Sequence, residues 1–560
     1  MSRIRKSVAG ALDALGLKHP VRRGLDRILV SGGMPPIGEP GVFRDLARLA
    51  GSPRPRPEST SGRLLVFTMR GWTTHVALES LLGEAAAQRG MEPFFYTCGG
   101  PLPLCGITTF RAPDPTPCSD CHGYVSRFFD VFGFPVLTLA DLIQEEERQG
   151  AADALAAVAD EDLELFTHDG LPLGRIVRTS VNWFLLRGTL DRSPRGMEVL
   201  RSFLASAIIM TAASARLLER VRPDRVFCLN GLFFAERILR AVASRKGIPV
   251  TTYERGFMPA TWLFRHNEVA PEYRIGPEFL EWGDRALDPR EAERVSKYLD
   301  ERASGRSDAR MYWPKIEESR QALVRELQLD PSRPVVGLFT NITWDSAIQD
   351  RDLAFRGMFD WLERTVAFFG DRGDAQLVIR VHPAEVRLKR QETVESVQEV
   401  LRQRLGDRLA RVRIVPPEAD LSSYVLADMC RFAVVYTSTL GLEMACRGLP
   451  VVVAADTHYR GLGFTIDVDE GTDYEALLGR LTDGEPPRPD VERARRYAHF
   501  FFFRFMVPLR MMTENERSDV RITLGSFEEL QPGRDAALDA VMSGLTEGRP
   551  IFHDPVPAAG

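Results

Sequence analysis

The sequence predicts an α/β protein of two doubly wound, Rossmann-like domains that face a cleft. Three observations carry that expectation. Short β-branched and aromatic runs alternate with helical stretches in both halves of the chain, the pattern of βαβ units on a parallel sheet. Polar residues gather where several of those strands end, and open parallel sheets bind ligands at that edge. Finally, 560 residues are too many for one ordinary core, so two or more domains are expected.

Composition narrows the class. A hydrophobic content of 44% with 27% charged residues is that of a soluble globular protein. The net charge of −5 offers no basic excess to neutralise a phosphate backbone, which argues against a general nucleic-acid binder. No apolar run reaches the roughly eighteen residues of a spanning helix, so none is expected. The N-terminus lacks the apolar core and cleavage site of a signal peptide. Seven cysteines in this length suit reduced thiols rather than a disulfide framework. The expected location is the cytoplasm.

Residues 1–62 read as a basic segment followed by a linker. Arg3, Arg5, Lys6, Lys18, Arg22, Arg23 and Arg27 face only Asp13 and Asp26, and Ile4, Val8, Leu12 and Leu15 recur at helical spacing. Such a segment either lies on an anionic membrane surface or packs on the body by its apolar stripe. Residues 51–62, rich in proline and serine, form the linker.

Residues 63–330 form the first domain. Leu64–Met69 is its first strand, Trp72–Arg89 a helix and Glu92–Tyr96 the next strand. A glycine- and proline-rich stretch then carries Cys98, Cys105, Cys118 and Cys121, the last two as C-x-x-C. Four thiols so close match a structural zinc site in ligand type; free thiols or a redox pair remain open. Residues 153–222 are mostly helical, and His168-Asp169-Gly170 is either a turn or an acceptor contact. Arg225–Asn230, Leu232–Lys246 and Ile248–Tyr253 make a βαβ unit whose last strand delivers Glu254-Arg255-Gly256 to the sheet's carboxyl edge. A carboxylate there suits a general base, though an ion pair with an arginine explains it as well.

Residues 331–490 form the second domain. Strand Val335–Thr340 ends in Asn341, Thr343, Trp344 and Asp345, and Gln376–Val381 ends in His382-Pro383-Ala384-Glu385 with Arg380 beside it. A histidine and an arginine so placed can hold a phosphate by charge-assisted hydrogen bonds. Strand Phe432–Tyr436, the turn Thr437-Ser438-Thr439, helix Leu440–Arg447 and strand Leu449–Ala454 form the unit around which the domain is organised. Ser438 and Thr439 offer hydroxyls to a phosphate, or simply cap the helix, and Glu443 one turn on can reach a ribose. Thr457-His458-Tyr459-Arg460 follows the last strand and faces the same edge. Residues 491–560 form a helical tail across the domains, in which Phe500–Phe503 suit burial better than membrane contact.

Glu254-Arg255-Gly256, Arg380-Val381-His382-Pro383-Ala384-Glu385 and Tyr436-Thr437-Ser438-Thr439-Leu440-Gly441-Leu442-Glu443 followed by Gly448-Leu449-Pro450-Val451 resemble, in that order, the bacterial capsule polysaccharide biosynthesis proteins. These are GT-B glycosyltransferases, including transferases of Kdo from CMP-Kdo, and are similar in motif layout to bacterial sialyltransferases. The resemblance is good from Arg225 to Gly463, loose from Leu64 to Arg222 and lacking in the first thirty residues. It implies a catalytic carboxylate at Glu254 and nucleotide contacts at His382, Ser438 and Thr439; by their place at the same edge, Arg380, Glu385, Glu443, Tyr459 and Arg460 are expected to complete the nucleotide-sugar site. Asn230, Asn341 and Asp345 are candidate donor or acceptor contacts. Where the family motif often has a second acid, this chain has Arg255, so Glu254 is the only acid in the motif.

The implied partners are a nucleotide-sugar donor, with a CMP-sugar favoured over a UDP-sugar, and a glycan or lipid-linked acceptor, with peripheral contact at the inner membrane. No cofactor is expected for catalysis, and the zinc would be structural. Two other functions compete: a nucleotide-sugar epimerase of the same fold, and a non-catalytic scaffold for envelope assembly suggested by Arg255, the basic segment and the phenylalanine run.

Overall fold

The computed structural model describes residues 41–112, 118–304, 319–388, 391–514 and 519–554. The basic N-terminal stretch therefore lies outside the described residues. Strands are numbered along the chain: β1 (Gly62–Thr68), β2 (Met91–Thr97), β3 (Val136–Thr138), β4 (Arg225–Leu229), β5 (Val250–Arg255) and β6 (Thr261–His266). There follow β7 (Val335–Phe339), β8 (Gln376–Arg380), β9 (Arg413–Val415), β10 (Cys430–Val435), β11 (Val451–Val453), β12 (Ile466–Asp467) and β13 (Val507–Pro508).

Two sheets result. The first has the order β3-β2-β1-β4-β5-β6-β13, parallel from β3 through β5, with β6 and β13 added antiparallel at one edge. The second, β9-β8-β7-β10-β11-β12, is parallel throughout. Both read outward from their first strand to the third and then reverse to the fourth, so each domain is doubly wound as predicted. Each sheet is buried on both faces, which explains why its strands are continuous apolar runs rather than alternating ones. In β1, Leu64 and Val66 enter one core while Leu65 and Phe67 enter the other. In β10, Ala433 and Val435 divide from Phe432 and Val434 in the same way.

Several elements differ from expectation. Strand β5 runs on through Glu254 and Arg255 and turns back into β6, pairing Glu254 with Leu263 and Arg255 with Trp262. The Trp262–Phe264 run that forms β6 is short and follows a tight turn, so its pairing is set by tertiary contact. The segment 51–61 is tied down: Arg54 donates to the carbonyl of Phe132 at 3.1 Å, and Arg56 makes a bidentate pair with Glu84 at 2.7 and 2.8 Å. Helices Gly276–Trp282 and Pro289–Ala303 share a core with the second sheet. One helix among the described residues, Pro194–Val221, is long and apolar enough to span a bilayer, contrary to the expectation from the sequence. Most of its apolar window, 72%, is buried inside the first domain. His168-Asp169-Gly170 is a turn, closed by mutual backbone hydrogen bonds between His168 and Leu171.

The C-terminal tail crosses between the domains. Helix Val491–His499 packs on the second domain and runs into one wide turn of π-helix at Phe500–Phe505. Phe500, Phe501, Phe502 and Phe505 are buried there, as their apolar character requires. The chain then joins the first sheet as β13, and helix Ala536–Glu547 completes the first domain's core.

Candidate active site

The second sheet reverses its strand order between β7 and β10, and a crevice opens beyond the carboxyl ends of those two strands. Side chains from both ends are tied together. Asn341 Oδ1 accepts from the Thr437 amide at 3.2 Å, and Thr340 Oγ1 accepts from the His382 amide at 3.0 Å. Behind the turn Thr437-Ser438-Thr439, the buried Tyr459 donates its hydroxyl to the Ser438 carbonyl at 2.6 Å. Gly441 permits that approach, because a Cβ there would collide with the Tyr459 hydroxyl. Ser438 Oγ accepts from the Leu440 amide at 3.3 Å, while Thr439 stands at the start of helix Leu440–Cys446 without a side-chain cap bond.

A cavity of about 350 Å³ fills this crevice, within the range of small-molecule sites. Asn341, Asp345, Arg380, His382, Ser438 and Thr439, six of the residues expected from the sequence, line it. The His382 ring accepts from the Ala384 amide at Nδ1, 3.1 Å away, so the neutral ring carries its proton on Nε2. Burial, with Arg380 adding to it, lowers the His382 pKa to about 4, so the ring is neutral at pH 7. This alters the expectation of a charged histidine: His382 offers a neutral N–H donor. Arg380 donates to the carbonyls of Pro416 and Ala419 at 2.7 and 3.2 Å. Those bonds hold the loop that brings Ser422, Ser423 and Tyr424 to the cavity.

Four expected contacts stand behind the wall. Glu443 is fully buried, accepting from Arg302 Nε at 2.7 Å and from the Tyr424 hydroxyl, so it orients two cavity-lining side chains. Glu385 is buried against the Val397 amide, and burial raises its carboxyl to about 8. Arg460 reaches only the Val453 carbonyl, at 3.5 Å, and Tyr459 braces the turn. His458 lines the cavity where those two were expected to do so.

The first domain supplies the opposite side. Half-buried Glu254 accepts from Asn230 Nδ2 at 2.9 Å and from the Arg255 amide at 2.8 Å. Asn230 is itself aimed by accepting from the Leu232 amide at 2.9 Å. Burial raises the Glu254 pKa, opposed by these hydrogen bonds, and the Asp345 carboxylate across the cleft raises it further. Glu254 and Asn230 stand outside the cavity's lining, but Glu254 and Asp345 both act electrostatically on Tyr273, which lines it. Arg255 pairs with Glu514 at 3.0 Å rather than with Glu254, but its charge still acts on Glu254 and opposes the rise of its pKa.

No family model and no curated protein matches the chain. Among solved structures it is similar to Thermosulfurimonas dismutans KpsC, beta Kdo 2,4 transferase, at 16% identity and TM-score 0.34, covering 55% of this chain and 86% of that one. It is also similar to a Neisseria meningitidis UDP-GlcNAc 2-epimerase bound to UDP-GlcNAc, at 11% identity and TM-score 0.24, covering 78% and 94%. A third, glycosyltransferase VinC in complex with dTDP, has 15% identity and TM-score 0.24, covering 87% and 100%. Likenesses this distant leave the functional reading to the site itself.

Several cavity residues were not anticipated. Arg302 arrives from a helix 141 residues before its partner Glu443. Arg351 is buried, pairs with Asp456 at 3.4 Å and donates to the Pro271 carbonyl at 3.3 Å. His458 is held neutral by burial, with its pKa near 3, and its ring stacks on Phe501 at 4.1 Å. An arginine at the penultimate position of a charged helix carries no local signal of this kind. His458 alone was legible, by its place after a strand. The four cysteines line a second, smaller cavity in the first domain.

Proposed function

We propose that the chain is a GT-B glycosyltransferase of surface-polysaccharide assembly, moving a sugar from a nucleotide-activated donor to a glycan or lipid-linked acceptor. A CMP-sugar such as CMP-Kdo is the favoured donor and a UDP-sugar the alternative. The observation that carries this reading is a carboxylate with raised pKa, Glu254, set across the cleft from a cavity lined by hydroxyls, a neutral imidazole and guanidinium groups.

The donor's phosphate lies against Ser438, Thr439 and the Nε2–H of His382. Arg302 and Arg351 offset the charge that grows on it as the sugar leaves. Glu254 accepts the proton of the acceptor hydroxyl as its oxygen attacks the anomeric carbon, and the nucleotide departs with the bonding electron pair. Asn230 holds Glu254 in place for that transfer. The reading requires no cofactor for catalysis. It places the enzyme in the cytoplasm, peripheral to the inner membrane, with its basic N-terminal stretch toward anionic lipid.

The facing pair Glu254 and Asp345 favours one other reading, a nucleotide-sugar epimerase with an acid and a base on opposite sides of the sugar. Product analysis with no acceptor present separates the two.

The test is thermal unfolding with CMP, UDP, GDP and dTDP, for the unchanged chain and His382→Ala. One nucleotide should stabilise the chain, by about 2.7 kcal/mol at a hundredfold excess over its Kd. The variant should lose most of that gain. No shift from any nucleotide at high concentration overturns the reading.

A further inference from the structure

The cysteine-bearing stretch belongs to neither sheet and to no part of the nucleotide cleft. Cys98 follows the last residue of β2, Cys105 sits in the turns beyond, and Cys118 and Cys121 occupy the first turn of helix Cys118–Phe132. All four are free and line one cavity of about 50 Å³, which His122 and Arg70 also line. That volume exceeds the roughly 30 Å³ share of a water molecule, so a single ion has room.

Three further features bear on what the cavity holds. First, backbone amides are aimed at the sulfurs: Gly100 N–H toward Cys98, Ile107 and Thr108 N–H toward Cys105, and Gly71 N–H toward Cys121. Amides so placed are donors that a metal-bound sulfur can accept from. Second, backbone lies directly on two sulfurs. A Cβ added at Gly100 would stand 3.2 Å from Cys118 Sγ, and one at Gly71 would stand 2.6 Å from Cys121 Sγ. The positive φ of Gly99 and Gly100, 68° and 86°, brings the β2 end onto the helix start. Third, the buried guanidinium of Arg70 flanks the group and acts electrostatically on Cys98 and Cys105. A tetrathiolate around a divalent ion carries two net negative charges; the amides offset part of them, and Arg70 contributes less because it already pairs with the buried Glu236.

We propose that Cys98, Cys105, Cys118 and Cys121 bind one zinc ion, which fastens the β2 end to helix Cys118–Phe132. Four thiolates at C-x6-C and C-x2-C spacing supply the all-sulfur, tetrahedral set that zinc takes in closed structural sites. Each thiol releases its proton to solvent as its sulfur binds, and no electron changes hands. Among the described residues no three His, Cys, Asp or Glu side chains already stand at ligating distance, so the four sulfurs have to draw together for zinc to bind. His122 lines the cavity but is not needed as a fifth ligand.

The experiment uses the full chain purified without added metal. Elemental analysis should find about one zinc per chain. Thiol titration of the folded protein before and after chelation should expose four additional cysteines. Replacing zinc with cobalt(II) should give the intense visible absorption of a tetrahedral thiolate site. Cys118→Ser with Cys121→Ser should abolish binding. Because that variant can fail to fold, the cobalt spectrum of the unchanged chain stands as an independent readout. Full metal loading in His122→Ala is expected as well. Metal-free protein that gives no cobalt spectrum, iron with acid-labile sulfide in place of zinc, or a disulfide among the four under reducing purification would each overturn the proposal. None of these readouts depends on nucleotide binding, so this site and the cleft stand or fall separately.

Discussion

The two sheets present their carboxyl edges to one cleft but arm them differently. On the second sheet, the edge is a cross-braced cradle: Asn341 ties β7 to the turn after β10, Thr340 ties it to His382, and Tyr459 supports the turn from behind. On the first, the edge offers one carboxylate near the end of a strand that continues into a hairpin, oriented by Asn230 and the Arg255 amide. The cradle distributes its contacts over many groups, as recognition of a nucleotide requires. The carboxylate stands alone, as a proton acceptor can. On the proposed reading, binding and chemistry are separated by domain, and substitutions should separate them as well.

The largest effect should come from Glu254→Gln, which keeps the shape and removes the base. Transfer should fall by about 10² to 10⁴-fold, while nucleotide-dependent stabilisation is unchanged; a parallel loss of both would erase the distinction between the two edges. Gly441→Ala attacks the cradle, because the added methyl meets the Tyr459 hydroxyl and forces the turn to move. Nucleotide affinity should drop, and the fold should lose about 1–3 kcal/mol, measurable by calorimetric titration and by denaturant unfolding. The smallest effect is one of pH. Glu385 is held protonated by burial, with a pKa near 8 against an ordinary 4.5, so its contribution to stability is complete below pH 4.5 and lost as pH rises through 8. Glu385→Gln should therefore raise the melting temperature more at pH 8 than at pH 5, with little change in nucleotide affinity. An equal shift at both pH values would mean the carboxyl is not held protonated.

Much of this fold was legible because its strands are buried on both faces and hence continuously apolar. VVGLF, QLVIR and CRFAVV declare themselves without help from their neighbours. Strand β13, two residues long, and the hairpin strand β6 exist because of what they pair with, and no local pattern announces them. The site divides along the same line. Strand ends give Asn341, His382 and Ser438 away, since topology alone places them at the edge. Glu443 was expected to reach a ribose, but spacing along a helix cannot say which side of the helix is filled. There Arg302, 141 residues away, and Tyr424 occupy it. The charge of His382 was misjudged for a related reason: the Ala384 amide that takes its Nδ1 is a matter of backbone direction rather than residue type.

The π-helical turn at Phe500–Phe505 is the second place where the chain passes from one lobe to the other, the first being the stretch that leaves β6. A door hung on one pin swings in any direction, whereas one hung on two opens about a single axis. His458, stacked on Phe501, sits beside that second pin while it also lines the cavity of the second domain. Whatever closes the lobes must therefore roll the phenylalanine strap against a ring that forms part of the binding wall, which makes the width of the cleft and the shape of the cavity one mechanical variable.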